Sequence, residues 1–285
     1  MWLYDSFCYN GEEILPFKIK HQYDVVDQFF IIESIYTFSG IRKPHYYIDI
    51  VMPYLHSYRD KITVIKIEEF PPVPEGFGSL TDCYNMSRET WWKEFYQRNY
   101  VLNLVKDIQE DYVLIVGDVD EIVHKDILRQ KEYLYQNSDE QLYLGMDLFH
   151  YNLKWLLPNL DGSRVNWTKA IAKNNKNIQN YDFSALRMTP EGKFLWRTGW
   201  HLSYCTSAEN ILRKMKSYSH IETLQNLKNE FGLHSDTDVL EFIKSCMKKG
   251  KNIIAPNMFP LVPFTEFDTV PKEILEFHNY IQNTQ

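Results

Sequence analysis

Asp118-Val119-Asp120-Glu121 follows directly on Tyr112–Gly117 (YVLIVG), a continuous apolar run. Such a run reads as a strand buried on both faces of a sheet. In an open α/β sheet, ligands collect at the carboxyl ends of the strands. Two carboxylates at i and i+2 in extended backbone can share a divalent cation while a substrate phosphate completes its shell. Mg²⁺ and Mn²⁺ suit an oxygen-rich, incomplete site of this kind. The competing reading is structural: Asp118 caps a following helix, and its acidic neighbours favour the positive end of that helix.

Other residues could serve the same chemistry. On a helix predicted over Arg88–Gln109, Trp91, Phe95, Leu102 and Val105 share one face, and Arg98 falls in the gap of that stripe. A guanidinium there needs a carboxylate or a phosphate, unless it reaches solvent at the stripe's edge. Asn99 beside it reads most simply as a polar surface residue. His201, in Gly199-Trp200-His201-Leu202-Ser203, offers a third metal ligand or a hydrogen-bonded structural imidazole. The junction Lys216–Glu222, with Ser219 and His220, could bind a phosphate or sugar, or simply cap a helix. Thr37-Phe38-Ser39-Gly40 is a turn that could cradle a nucleotide.

No nucleophile elbow, GxGxxG or P-loop is present. This argues against serine hydrolases, dinucleotide-dependent dehydrogenases and P-loop kinases, and leaves metal-assisted chemistry on a phosphate-bearing substrate. Acids outnumber bases 38 to 31, so the net charge of -7 provides no global field for nucleic acid. Aromatics reach 15%, compatible with core packing or with sugar platforms. Cys8, Cys83, Cys205 and Cys246 lie far apart, which fits reduced thiols better than a zinc site. No apolar run is long enough to span a membrane, and the first residues lack a signal-peptide pattern. The sequons at Asn85 and Asn166 carry little weight.

The elements that must position these residues alternate through the first half. Strands are expected at Trp2–Phe7, Gln28–Glu33, Lys61–Ile67, Tyr112–Gly117 and Gln141–Asp147. Helices are expected at Glu12–Val26, Arg88–Gln109 and His124–Gln136. This order predicts an α/β sheet with helices on both faces. In the second half, strands are expected at Val165–Ala172, Phe183–Met188 and Phe194–Tyr204. Helices follow at Ala208–Tyr218, His220–Glu230 and Thr237–Lys249, then an extended tail from Ile253 to Phe267. Pro71–Gly78 is the strongest loop signal.

Several motifs follow one another in order: Tyr4-Asp5-Ser6-Phe7, Tyr23-Asp24-Val25-Val26-Asp27, Ile31-Ile32-Glu33, Thr37-Phe38-Ser39-Gly40 with Lys43-Pro44, and Glu94 with Gln97-Arg98-Asn99. Gly117-Asp118-Val119-Asp120-Glu121, Gly199-Trp200-His201-Leu202-Ser203 and Ser217-Tyr218-Ser219-His220 complete the series. Together they resemble glycosyltransferase family 17, from about residue 4 to about residue 222.

The resemblance implies a GT-A-like, Rossmann-type mixed sheet flanked by helices, with a C-terminal helical segment. It implies one glycosyltransferase domain over 1–285, with a nucleotide-sugar half (1–150) and an acceptor half (151–285). It further implies a UDP-sugar donor, a glycan acceptor, transfer of N-acetylglucosamine with inversion, and Mn²⁺ or Mg²⁺ held by Asp118 and Asp120, with His201 the candidate third ligand. Donor contacts are expected from Glu33, Thr37, Ser39, Gly40, Arg98, Asn99, Lys214 and His220. Inversion by direct displacement needs a base, for which Asp147 and Glu209 are the candidates. Animal members carry an N-terminal anchor and stem. This chain is expected to be a soluble relative of bacterial or viral type, or a trimmed form of an anchored one. Two alternatives share the motif: a non-catalytic glycan-binding protein, and a metal-dependent nucleotidyltransferase or phosphohydrolase.

Overall fold

Side-chain alternation determines what each central strand covers. In Tyr112–Asp118, Val113 and Ile115 pack with Leu3, Phe29 and Ile31, while Tyr112, Leu114 and Val116 pack with Tyr4, Phe30 and Ile32. A strand apolar on both sides is stable only with cover on both sides. The computed structural model describes residues 1–77, 87–159, 166–218, 221–254 and 260–284.

Its strands are β1 (Trp2–Cys8), β2 (Gln28–Ser34), β3 (Ile62–Ile67), β4 (Tyr112–Asp118), β5 (Glu121–Val123), β6 (Leu142–His150), β7 (Trp155–Leu156), β8 (Asn166–Asn174), β9 (Lys193–Leu195), β10 (Gly199–Ser203) and β11 (Val262–Pro263). They join in one mixed sheet whose main path runs β11-β7-β6-β8-β4-β1-β2-β3. The β3-β2-β1-β4 part is parallel, and β8 pairs antiparallel with both β4 and β6. Off this path, β9 and β10 run parallel to β6, and β5 pairs antiparallel with β10.

The helices are α1 (Leu15–Gln22), α2 (Tyr47–Val51), α3 (Arg88–Asn99), α4 (Val101–Val105), α5 (Lys125–Leu128), α6 (Lys131–Asn137), α7 (Phe183–Met188), α8 (Ala208–Ser217), α9 (Ile221–Phe231), α10 (Asp236–Lys249) and α11 (Lys272–Thr284). Leu15 and Ile19 of α1 and Ile274, Phe277 and Ile281 of α11 cover one face. Val101 and Val105 of α4 and Phe183 of α7 cover the other. A third core, with Ile211 and Met215 of α8, Leu227 of α9 and Val239 and Ile243 of α10, builds the helical C-terminal part.

Four expectations are corrected. The helix over Arg88–Gln109 is two helices, because a tighter turn from Tyr100 N–H to the Gln97 carbonyl interrupts it. The helix over His124–Gln136 likewise divides at Gln130. Phe183–Met188 is helical rather than extended, since the Asp182 carboxylate accepts the Ala185 N–H as an N-cap. Phe194–Tyr204 is two strands, interrupted where Arg197 takes a positive φ of 57°. Cys8, Cys205 and Cys246 are buried free thiols, and Cys83 lies outside the described residues.

Candidate active site

Parallel register places Cys8, the last residue of β1, beside Asp118, the last residue of β4. A cavity of about 1040 Å³ opens at these carboxyl ends. Residues after β1 (Asn10, Glu12) and β2 (Tyr36, Thr37) line one side. Asp118 and Asp120 form its floor, and Arg187, His201 and Lys214 reach in from the second half of the chain.

The floor is a locked turn. No helix begins at Asp118, as the capping reading required; β5 starts at Glu121 instead. The Glu121 side chain folds back so that its Oε2 accepts the Asp118 N–H at 2.8 Å. Gly117 makes room for this, because a Cβ there would lie 2.7 Å from the same oxygen. Trp167 Nε1 donates to Glu121 Oε1 at 2.5 Å. Beneath the turn, the buried Lys18 ammonium donates to the Glu121 and Asp118 carbonyls at 2.9 and 3.3 Å and pairs with Asp5 at 3.3 Å. Gly199 of β10 closes over β5, where a Cβ would sit 1.9 Å from the Ile122 carbonyl oxygen.

The two aspartates face different partners. Asp118 Oδ1 accepts from Arg98 Nη1 at 2.7 Å and Oδ2 from Arg187 Nη2 at 2.5 Å. Burial would raise its pKa, but Arg187 and Arg98 outweigh burial and hold it at about 2. Asp120 Oδ2 accepts from Lys214 Nζ at 2.6 Å, and Oδ1 lies 3.5 Å from His201 Nε2. Burial again opposes ionisation there, and Lys214 and His201 drive the pKa well below the usual carboxylate range. The His201 ring packs on Trp167 with centroids 4.4 Å apart, and its buried Nδ1 has no hydrogen-bond partner among the described residues.

Each arginine is clamped by further contacts. Arg98 also donates to Glu94 Oε1 at 2.9 Å and to the Gly117 carbonyl at 3.2 Å. Arg187 also donates to Glu121 Oε1 and Oε2 at 2.9 and 2.8 Å and to the Lys169 carbonyl at 2.5 Å.

Of the other residues singled out from sequence, Thr37 lines the cavity. Ser39 is tied to the end of α8, its hydroxyl donating to the Lys216 carbonyl at 2.8 Å, and Gly40 supplies the positive φ of 89° in that turn. Glu33 pairs with Lys43 and accepts the Tyr47 and Ile48 N–H groups at 2.8 Å each, so it caps α2. Asn99 is not among the cavity-lining residues; it joins α3 to α7 by bonding Asp182 Oδ1 and the Phe183 N–H at 2.9 Å each. Asp147 and Glu209 do not line the cavity either, and Glu209 is exposed and pairs with Lys244 at 3.3 Å. His220 lies outside the described residues.

Sequence reasoning missed Arg187, Lys18 and Glu12. Arg187 was hidden by the strand reading of its segment. Glu12 had a signal, since Asn10-Gly11-Glu12 follows β1 at the edge where ligands collect. Its carboxyl pKa is raised, by burial above all.

The sequence matches the model of Glycosyltransferase family 17 over residues 2–260. The chain belongs to glycosyltransferase family 17. Membership makes it a glycosyltransferase by class. The β-1,4-mannosyl-glycoprotein 4-β-N-acetylglucosaminyltransferase of Rattus norvegicus is 25% identical over 259 residues, 84% of this chain and 45% of the rat protein. The protein of the same name from Homo sapiens is 24% identical over 297 residues, 95% of this chain and 53% of the human one. The chain thus spans about half the length of these curated relatives. No helix among its described residues is long and apolar enough to cross a membrane.

Proposed function

We propose that this family 17 chain transfers N-acetylglucosamine from a UDP-sugar to a glycan acceptor, with inversion, in the cavity above Asp118 and Asp120. The observation that carries this reading is the convergence of Arg98, Arg187 and Lys214 on two adjacent aspartates at the carboxyl end of β4. The sheet, with its parallel β3-β2-β1-β4 half ending at the cavity, suits a GT-A-like division of labour. Residues 1–150 take the nucleotide and 151–285 shape the acceptor side.

Among the described residues, no three His, Cys, Asp or Glu side chains form a ready-made metal cage. Asp120 and His201 do face one another across 3.5 Å, and the unpartnered His201 Nδ1 leaves that imidazole uncommitted on its far side. A donor set this small fits Mg²⁺ or Mn²⁺, whose remaining positions go to diphosphate oxygens and water. Asp120 and His201 would hold the ion. Both Asp118 oxygens are committed to the two guanidiniums, so Asp118 would act by holding them. When bound, the ion supplies positive charge that neutralises the leaving diphosphate.

The remaining work falls to the chain. Arg98 and Arg187, fixed by their carboxylate clamps, present preorganised charge toward the leaving group. Sequence reasoning offered Asp147 and Glu209 as bases, but the cavity is lined instead by Glu94 and Glu12. Arg98 takes Glu94. Among the described residues Glu12 bonds no guanidinium, and its raised pKa makes it the better proton acceptor for an acceptor hydroxyl. Incubation with UDP-N-acetylglucosamine, Mn²⁺ and mannose-containing glycans tests the reading. UDP plus a β-linked glycoside is expected; UMP or pyrophosphate products, or no turnover of any nucleotide sugar, would overturn it.

A further inference from the structure

All four oxygens of Asp118 and Asp120 face a nitrogen, yet the cations that hold them differ in freedom. Arg98 and Arg187 each keep at least two acceptors besides Asp118, and their side chains are 3% and 7% exposed. Lys214 is different. Among the described residues, Asp120 is the one hydrogen-bond acceptor of its ammonium, the Tyr204 ring lies 5.7 Å away, and its side chain is 26% exposed. A compact charge on a flexible four-carbon stem can move where a clamped guanidinium cannot. We propose that Lys214 is a resident counter-ion that occupies Asp120 in the ligand-free protein, leaves it when a divalent cation arrives, and re-pairs with the donor diphosphate.

The inference rests on the metal-dependent reading above and adds an order of events to it. The Asp120 side chain is 6% exposed, so it cannot be left without a cation. Lys214 therefore departs only when a replacement comes in. Exchange of a single for a double positive charge at Asp120 also frees an ammonium within the same cavity, where a diphosphate brings at least two negative charges. Ion and donor then favour each other twice, through direct contact and through the released lysine. Asp118 takes no part in the exchange, because neither of its arginines can leave without stranding a second carboxylate, Glu94 or Glu121.

The proposal makes Lys214 a competitor of the metal, which a purely structural lysine is not. Calorimetry with Mn²⁺ alone, without nucleotide, is run on wild type and on the Lys214→Met, Lys214→Gln and Lys214→Arg variants. The Met and Gln variants should bind Mn²⁺ about tenfold more tightly than wild type, the scale of a typical coupling between two ligands of one site. Their metal-free melting temperature should fall and be recovered on adding Mn²⁺. Lys214→Arg keeps the charge at Asp120 and should bind Mn²⁺ no more tightly than wild type. In saturating Mn²⁺, the Met and Gln variants should bind UDP more weakly. The Gln variant keeps a donor for Asp120 and serves if the Met variant does not fold. Unchanged or weaker Mn²⁺ binding in the neutral variants overturns the exchange, as does the absence of Mn²⁺ binding in every protein. Nucleotide-sugar turnover by wild type, measured in parallel with and without chelator, reports separately whether the transferase reading stands.

Discussion

Replacing Arg187 with Met tests the charge network at its most buried point. The side chain bridges Asp118 and Glu121, the latter 0% exposed at its side chain. Burial disfavours the charged guanidinium, but Asp118 and then Glu121 more than offset this and raise its pKa. Met has the length to fill the space, so packing loss is small and the main cost is the stranded Glu121. Removing one partner of a buried pair costs about 3–5 kcal/mol. In a chain of this size that lowers the melting temperature by roughly 5–8 °C. The assay is thermal unfolding of four proteins: wild type, Arg187→Met, Glu121→Gln and the double variant. The double variant removes the orphaned charge, while the single Gln oxygen can accept from only one of Asp118 N–H and Trp167 Nε1, which the two Glu121 oxygens accept separately, so recovery is partial. It should melt above Arg187→Met but below wild type. A melting temperature for Arg187→Met within about 2 °C of wild type, or a double variant no better than the single, would refute the reasoning. UDP binding should be weak in both, since neither carries the guanidinium.

Stability should decline on acidification in two stages. His150, buried with its pKa lowered to about 3 by burial, then by His201 and Lys214, stays neutral in the fold while the unfolded chain takes a proton near pH 6.5. Its neutral form therefore contributes fully above that pH, and about 3 kcal/mol is lost between pH 6.5 and pH 4. Asp118, held at about 2, adds a second loss below the ordinary aspartate value near 3.8. Urea titrations at several pH values should show His150→Gln reducing the upper stage, to which His124, lowered to about 4 by burial, also contributes, and leaving the lower stage unchanged. Gly199→Ala should cost more than about 4 kcal/mol or prevent soluble expression, whereas Gly76→Ala, with open space but positive φ, should cost about 1 kcal/mol. Asn99→Ala should lower stability by about 1 kcal/mol while leaving UDP affinity unchanged by calorimetry, because its partners are Asp182 and Phe183.

Legibility in the sequence follows the range of the interactions. β4 was readable because burial on both faces leaves an uninterrupted apolar run, and β2 for the same reason. The placement of Asp118 and Asp120 at a strand end followed from that run and its last glycine. α11 was not read, although Ile274, Phe277 and Ile281 recur at helical spacing: the extended reading stopped at Phe267 and no element was assigned beyond it. α7 was misread because Phe183 and Met188 fit an apolar strand as well as a helix, and the Asp182 cap that decides between them is a single side chain. The charge partners were beyond local reading. Arg98 lies 20 positions from Asp118, Arg187 lies 66 from Glu121, and Lys214 lies 94 from Asp120. Sequence could say that Arg98 needed a partner; only the sheet says which.

Adjacent aspartates in one turn acquire different surroundings because β4 ends between them. Asp118 still belongs to the strand and projects toward α3 and α7, where Arg98 and Arg187 are anchored. Asp120 lies past the strand, beneath β10 and α8, where His201 and Lys214 face it. The first position is therefore built from elements packed on the sheet and shares its rigidity. The second depends on His201 of β10 and on one lysine of α8, whose long side chain can move while its helix stays in place. A site that must hold charge in register yet admit a highly charged substrate needs both properties. The spacing of the two aspartates, one on each side of a strand's end, provides them within three residues.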